Sequence, residues 1–161
     1  MRVAHDIFAE TNPAFYAYAL VSFVAAHLTV NDQGPDLPVV YISLPIALSG
    51  EFSDTFDGTN KNTGLLEWLG RSPQVQIGLA ERVNASMGLI TDAVRFGCFL
   101  RVLSLSANAR LLLGDQKVKR SVVSTLSNET AQSLKRAERL GYWFASAGST
   151  KTAFDIMGLA L

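Results

Sequence analysis

Apolar residues recur at three- and four-residue intervals along most of this chain, and polar breaks divide the pattern into helix-sized pieces. Asn12-Pro13 is a helix start, with Asn as N-cap and proline at the first helical position. The helix it opens should run to about Leu28, with Phe15, Ala19, Leu20, Phe23, Val24 and His27 on one stripe. Val30–Asp36 is loop by composition. Leu37–Leu48 is almost wholly apolar. Its β-branched content favours a strand, but Asp36 as cap and Pro38 in the first turn favour a helix, which Pro45 should kink. A helix is the better reading.

Ser49–Asn62 is polar and glycine-rich and reads as a solvated loop. Its acidic residues do not match the spacing of a calcium-binding loop. A short helix follows through Leu65, Leu66, Trp68 and Leu69. Ser72-Pro73 opens another, with Val75, Leu79, Val83 and Met87 inward, and Gly88 should break it. Thr91-Asp92 starts a further helix packing Ala93, Val94, Phe96, Gly97 and Leu100, with Leu103 or Leu105. Beyond it, Arg110–Leu113 reads as a strand, Gly114-Asp115 as a turn and Lys117–Val123 as the return strand. A helix followed by a small hairpin is compatible with a winged-helix arrangement, with Lys117, Lys119 and Arg120 on the wing.

The most informative stretch is Lys135–Phe154. Leu134, Ala137, Leu140, Gly141, Phe144 and Ala145 share one helix face, and Lys135, Arg136, Glu138 and Arg139 fall mostly on the other. Gly148 sits where a left-handed C-cap is expected, and Ser149 or Thr150 can cap a last helix running to about Gly158. Gly141 and Ala145 lie at small-xxx-small spacing, which lets another backbone come close. The fold class expected is mainly α with a small C-terminal β-hairpin. One domain over 1–161 is the simplest organisation, with a helical N-terminal layer at about 12–105 and the hairpin and C-terminal helices at about 106–161.

Composition narrows the chemistry. The 161 residues are 48% hydrophobic, and the mean hydropathy of +0.21 is high for a soluble chain. No stretch has 18 uninterrupted apolar residues, and the N-terminus shows no basic region followed by an apolar run, so neither a membrane span nor a secretory signal is expected. A chain this apolar is expected to hide part of its surface in a complex. The single cysteine, Cys98, excludes an internal disulfide, fits a reducing cytoplasm and reads as a small core hydrophobe. His5 and His27 stand far from Cys98 and from each other in sequence, in no metal-binding spacing. Gly148-Ser149-Thr150-Lys151 has the look of the tail of a phosphate loop but lacks the preceding glycine spacing and strand, so no nucleotide cradle is expected. No cofactor, metal or catalytic activity is expected.

The formal net charge is zero but unevenly spread. Residues 1–100 carry five Lys/Arg against ten Asp/Glu, a balance of −5, and residues 101–161 carry nine against four, a balance of +5. Either the two parts face each other, or the C-terminal part presents a basic surface to an acidic partner or nucleic acid. Lys117, Lys119, Arg120, Lys135, Arg136 and Arg139 are the candidate phosphate contacts. Trp68, Tyr142 and Trp143 are candidate interface anchors, and Asn12 and Phe15 belong to a second candidate partner-facing motif.

The run KRAERLGYWFASAGSTKTAFDIMG at residues 135–158 resembles the C-terminal signature of the middle component of bacterial three-component ABC (ABC-3C) conflict systems, of which the Lamassu type is one branch. NPAF at Asn12–Phe15, LPVVYISLPIAL at Leu37–Leu48, LLEWLGRSPQVQIGLAERV at Leu65–Val83 and TDAVRFG at Thr91–Gly97 resemble the same family, in its order and over nearly the whole chain. The resemblance implies a non-catalytic accessory subunit of an anti-phage or anti-plasmid defence complex. It implies as partners a coiled-coil ABC ATPase of the SMC/Rad50 kind and an effector, a nuclease or other toxin. DNA would be sensed through the complex, and this subunit would bridge ATPase and effector and control the effector's release or activation. The alternative, from the residues alone, is a free-standing winged-helix DNA-binding regulator.

Overall fold

A computed structural model describes residues 12–119 and 127–160. Asn12 opens helix α1 (Pro13–Val30), its Oδ1 accepting from the Ala14 amide at 2.9 Å. Helix α2 (Leu37–Leu48) follows, and the ambiguous apolar stretch is therefore helical. Pro45 lies inside it, where its missing N–H frees the Tyr41 carbonyl. A 3₁₀ turn (Gly50–Phe56), α3 (Gly64–Arg71), a second 3₁₀ turn (Pro73–Gln76) and α4 (Leu79–Phe99) come next. Strands β1 (Leu103–Leu105) and β2 (Leu111–Leu113) form the hairpin, and α5 (Asn128–Ser146) and α6 (Thr150–Met157) end the chain.

Helix α1 packs between α4 and α5, with Ala17, Ala19, Leu20, Phe23, Val24, Ala26 and His27 inside. By length and composition it could cross a bilayer, although Ser22, His27 and Thr29 interrupt its apolar run. The packing of α1 at the centre of the fold accounts for that apolarity. Its contact with α5 is close at Gly141, where a Cβ would stand 2.4 Å from the Phe23 carbonyl oxygen and 2.9 Å from the Ala26 Cβ. The expected backbone approach is therefore present.

Helix α5 buries two adjacent stripes. The first, Leu134–Ala137–Gly141–Phe144, is the one the periodicity marks. The second, Ser133–Arg136–Leu140–Trp143, turns toward α2 and the loop after it. Its last turn ends at Gly148 with φ +96°, and Ser149 Oγ then accepts from the Thr152 amide at 3.1 Å to start α6.

Three expectations fail. Gly88 does not break the helix there: α4 runs through it for 21 residues. The start falls later than Pro73, at the left-handed Gly78, and Leu79, Ile90, Ala93, Val94 and Gly97 are buried along it. One interior glycine costs only about 1 kcal/mol, too little to interrupt that stripe. Ser49–Asn62 is not simply solvated, because Phe52 and Phe56 insert into the core from the 3₁₀ turn.

The third concerns the hairpin. The strand at Leu111–Leu113 pairs backward with Leu103–Leu105, register Leu103↔Leu113, instead of forward with 117–123. A five-residue turn closed by Ser106 N–H to Arg110 O (2.9 Å) brings them together, with Ala109 at φ +60°. Residues 117–119 carry no strand, and 120–123 lie outside the described residues. The other edge of β2 is engaged too: the Leu111 amide donates to Pro35 O at 2.9 Å, and the Leu37 amide donates to Ala109 O at 3.1 Å. The hairpin is thus tied to the α1–α2 loop and is not a free wing.

Candidate functional site

The two indoles expected at an interface are in the core. Trp68 and Trp143 are 0% and 1% exposed. Trp143 stacks on Phe56 (centroids 5.7 Å apart, planes 5° from parallel), and Trp68 leans on both rings at 5.1 and 5.2 Å. Each indole N–H is satisfied by the loop after α2: Trp68 Nε1 donates to Thr55 O at 3.1 Å, Trp143 Nε1 to Asn60 O at 2.9 Å. A polar-sounding loop supplies backbone acceptors, so tryptophan can be buried there without an unpaired donor. Tyr142 and Phe15 are half-buried, Phe15 meeting Tyr16 edge-on at 6.1 Å. Asn12 acts as the cap of α1.

The basic residues also divide. Arg136 is buried, not on a solvated face. Its Nε donates to Ala47 O at 2.8 Å, satisfying a carbonyl at the end of α2, and its Nη2 donates to Ser133 Oγ (2.9 Å) and to Glu129 (3.3 Å). Arg139 Nη1 donates to Thr59 Oγ1 at 3.1 Å. Lys135 is exposed, and all three line a recess shared with Asp54, Asp57 and Glu129. Cations from the basic C-terminal part thus face carboxylates from the acidic N-terminal part, and Arg110 does the same with Asp36 (3.5 Å). On this side the two parts face each other. Lys117 and Lys119 are exposed beyond β2, and Arg120 lies outside the described residues.

Two cavities stand out by their chemistry. The first is an apolar groove of about 560 Å³ between α2, the first half of α4 and the chain's end, lined by Leu37, Tyr41, Ala80, Val83, Met87 and Phe154. Tyr41 bridges it to α4 through a 2.5 Å hydroxyl contact with Thr91. Met87, which periodicity places inside, is 45% exposed here, and Ile77 just before α4 is 76% exposed. The groove is missed in sequence because it forms between elements: each contributes residues that look like ordinary core. The second is a polar cavity of about 360 Å³ at the start of α6, where His27, Asp36 and Arg110 converge.

His27 is buried, and its pKa is lowered to about 4, first by that burial and then by the Arg110 charge, with Asp36 opposing. Burial raises the Cys98 thiol above its ordinary value, consistent with an unreactive side chain. Among the described residues no group of three or more His, Cys, Asp or Glu could hold a metal ion.

A protein-family model matches residues 3–161: ABC-three component (ABC-3C) system Middle Component 3. The chain is therefore a middle component of a three-component ABC system. Within that class it belongs to the Middle Component 3 family. No curated protein and no solved structure matches it.

Proposed function

We propose that this chain is the non-catalytic accessory subunit of a cytoplasmic anti-phage or anti-plasmid defence complex of the Lamassu kind. It bridges a coiled-coil, SMC/Rad50-like ABC ATPase to an effector, a nuclease or other toxin, and controls the effector's release or activation. DNA is sensed through the complex. Membership of the middle-component family over nearly the whole chain carries this reading. The apolar groove supports it with a seat: a trough of about 560 Å³ lined by Tyr41, Val83, Met87 and Phe154 suits the apolar stripe of a partner helix.

Co-expression with the flanking genes, followed by size-exclusion with light scattering, tests the reading. The wild-type chain should migrate with the ATPase. Ala80→Glu with Met87→Glu places two charges in the groove at exposed positions of α4, where stability should change by no more than about 0.5 kcal/mol each. That variant should fold and be left unbound. A wild-type chain that remains alone beside well-folded neighbours overturns the subunit reading. A double variant that still joins the complex overturns the groove as the seat.

A further inference from the structure

The polar cavity at the start of α6 has no place in the bridging role, and its composition points to a ligand. Helix α6 begins at Thr150 with Ser149 as cap. Ser149 Oγ accepts from the Thr152 amide, which leaves the Thr150 and Lys151 amides, in the first turn, without an intrahelical acceptor. A helix N-terminus in this condition favours negative charge.

Two further groups converge there. Arg110 is held by its Nη1 bond to Gly34 O (2.7 Å) and its ion pair with Asp36 (3.5 Å), and lines the cavity. Gly34 makes that geometry available, because its φ of +77° and the Leu111 carbonyl 2.7 Å from where a Cβ would sit exclude a side chain. His27 lines the cavity from the last turn of α1. It is 5% exposed, and its Nδ1 is buried with no hydrogen-bond partner among the described residues. A buried ring nitrogen without a partner carries an uncompensated desolvation cost, which a bound ligand would offset.

We infer that this cavity binds a phosphate group, free or as a monoester, through the Thr150 and Lys151 amides, the Arg110 guanidinium and the His27 imidazole. Four donors converging from three elements suit a tetrahedral oxyanion better than a planar carboxylate. The Lys151 ammonium stands at the rim, paired with Asp155 at 2.7 Å. Asp36 is the opposing group; Arg110 offsets its charge, and its carboxylate accepts from the Thr150 hydroxyl. The cavity volume of about 360 Å³ exceeds one phosphate group and leaves room for the substituent of a monoester.

The test is a two-dimensional NMR titration of the full chain with inorganic phosphate and, separately, with a nucleoside monophosphate, against chloride at equal ionic strength. Saturable shifts of the Thr150 and Lys151 amides are expected, with a His27 pKa raised by about one unit or more as the imidazolium gains a counter-charge. Tighter binding of the monophosphate than of phosphate assigns the ligand to the ester; equal binding assigns it to the free ion. Arg110→Gln should weaken binding at least tenfold, while Arg95→Gln, on the exposed face of α4, should not. Should Arg110→Gln fail to fold, His27→Gln takes its place with the same expected loss. Linear, unsaturated shifts, or saturable ones that survive these substitutions, overturn the assignment.

Discussion

Gly141→Ala sets two effects of opposite sign against each other. In a free helix the change is favourable, because alanine in a helix interior is better than glycine by about 1 kcal/mol. At Gly141 the new methyl group would lie 2.4 Å from the Phe23 carbonyl oxygen, 2.9 Å from the Ala26 Cβ and 3.2 Å from the His27 amide nitrogen. Favourable contact starts at roughly 3.5 Å. All three atoms belong to or sit directly on the backbone of α1, so no rotamer change relieves them.

Helix α1 must therefore back away from α5 by about 1 Å, loosening the contacts of Phe23 and Phe144, which meet at 6.2 Å across this seam. Overpacking of this kind costs typically 1–3 kcal/mol and occasionally more. With two helices forced apart, the upper part of that range applies, and the net change should be about 1–2 kcal/mol destabilising after the propensity gain. Gly88→Ala is the internal control. It is the same substitution in a helix interior, at a position where a Cβ meets nothing within 4 Å. It should stabilise by about 0.5–1 kcal/mol. Urea unfolding followed by tryptophan fluorescence gives both values. Opposite signs are the expected result, and a stabilising Gly141→Ala would refute the close seam between α1 and α5.

Two other perturbations separate competing accounts. Trp143→Ala should cost about 3–5 kcal/mol, and Trp143→Phe should cost less, since it keeps a ring on Phe56 but leaves the Asn60 carbonyl without its donor. A variant that loses a partner yet unfolds at the wild-type urea concentration would contradict the buried position. For His27, the folded pKa of about 4 lies below the ordinary 6.5, so between those values the unfolded chain binds a proton that the folded chain refuses. The contribution is present above pH 6.5 and is lost as pH falls toward 4. The shift sets a ceiling of about 3 kcal/mol over the whole window, of which about 2 kcal/mol falls between pH 7 and pH 5. Urea midpoints at pH 7 and pH 5 in phosphate-free buffer should differ accordingly, and His27→Gln should flatten the difference. Arg110, Asp36 and Lys151 line the same cavity.

Where local chemistry decided the structure, it could be read from the chain. Asn12-Pro13, Gly148-Ser149 and the spacing of Gly141 and Ala145 each act within one helical turn, and each appears as expected. Arg136 and Trp143 could not be placed in the same way. Their burial depends on Ala47, Phe56 and Asn60, more than eighty residues earlier, and a helical wheel shows which side they occupy but not what covers it. The hairpin failed on a similar ground: Leu103–Leu105 also fits the apolar continuation of α4, and only pairing with Leu111–Leu113 makes it a strand. The groove and the polar cavity are both products of assembly, each lined by residues from several elements.

The bond from Trp143 to Asn60 spans 83 residues, which has a consequence during synthesis. The ribosome releases Phe52, Phe56 and Trp68 long before the residues that cover them. Until α5 emerges, the Phe56 ring lacks its stacking partner, and Ala47 lacks the donor from Arg136. A nascent chain stalled short of residue 143 therefore displays an aromatic surface with nothing to close it. Such a half-made protein exposes the kind of surface that chaperones and proteases recognise, until α5 covers it.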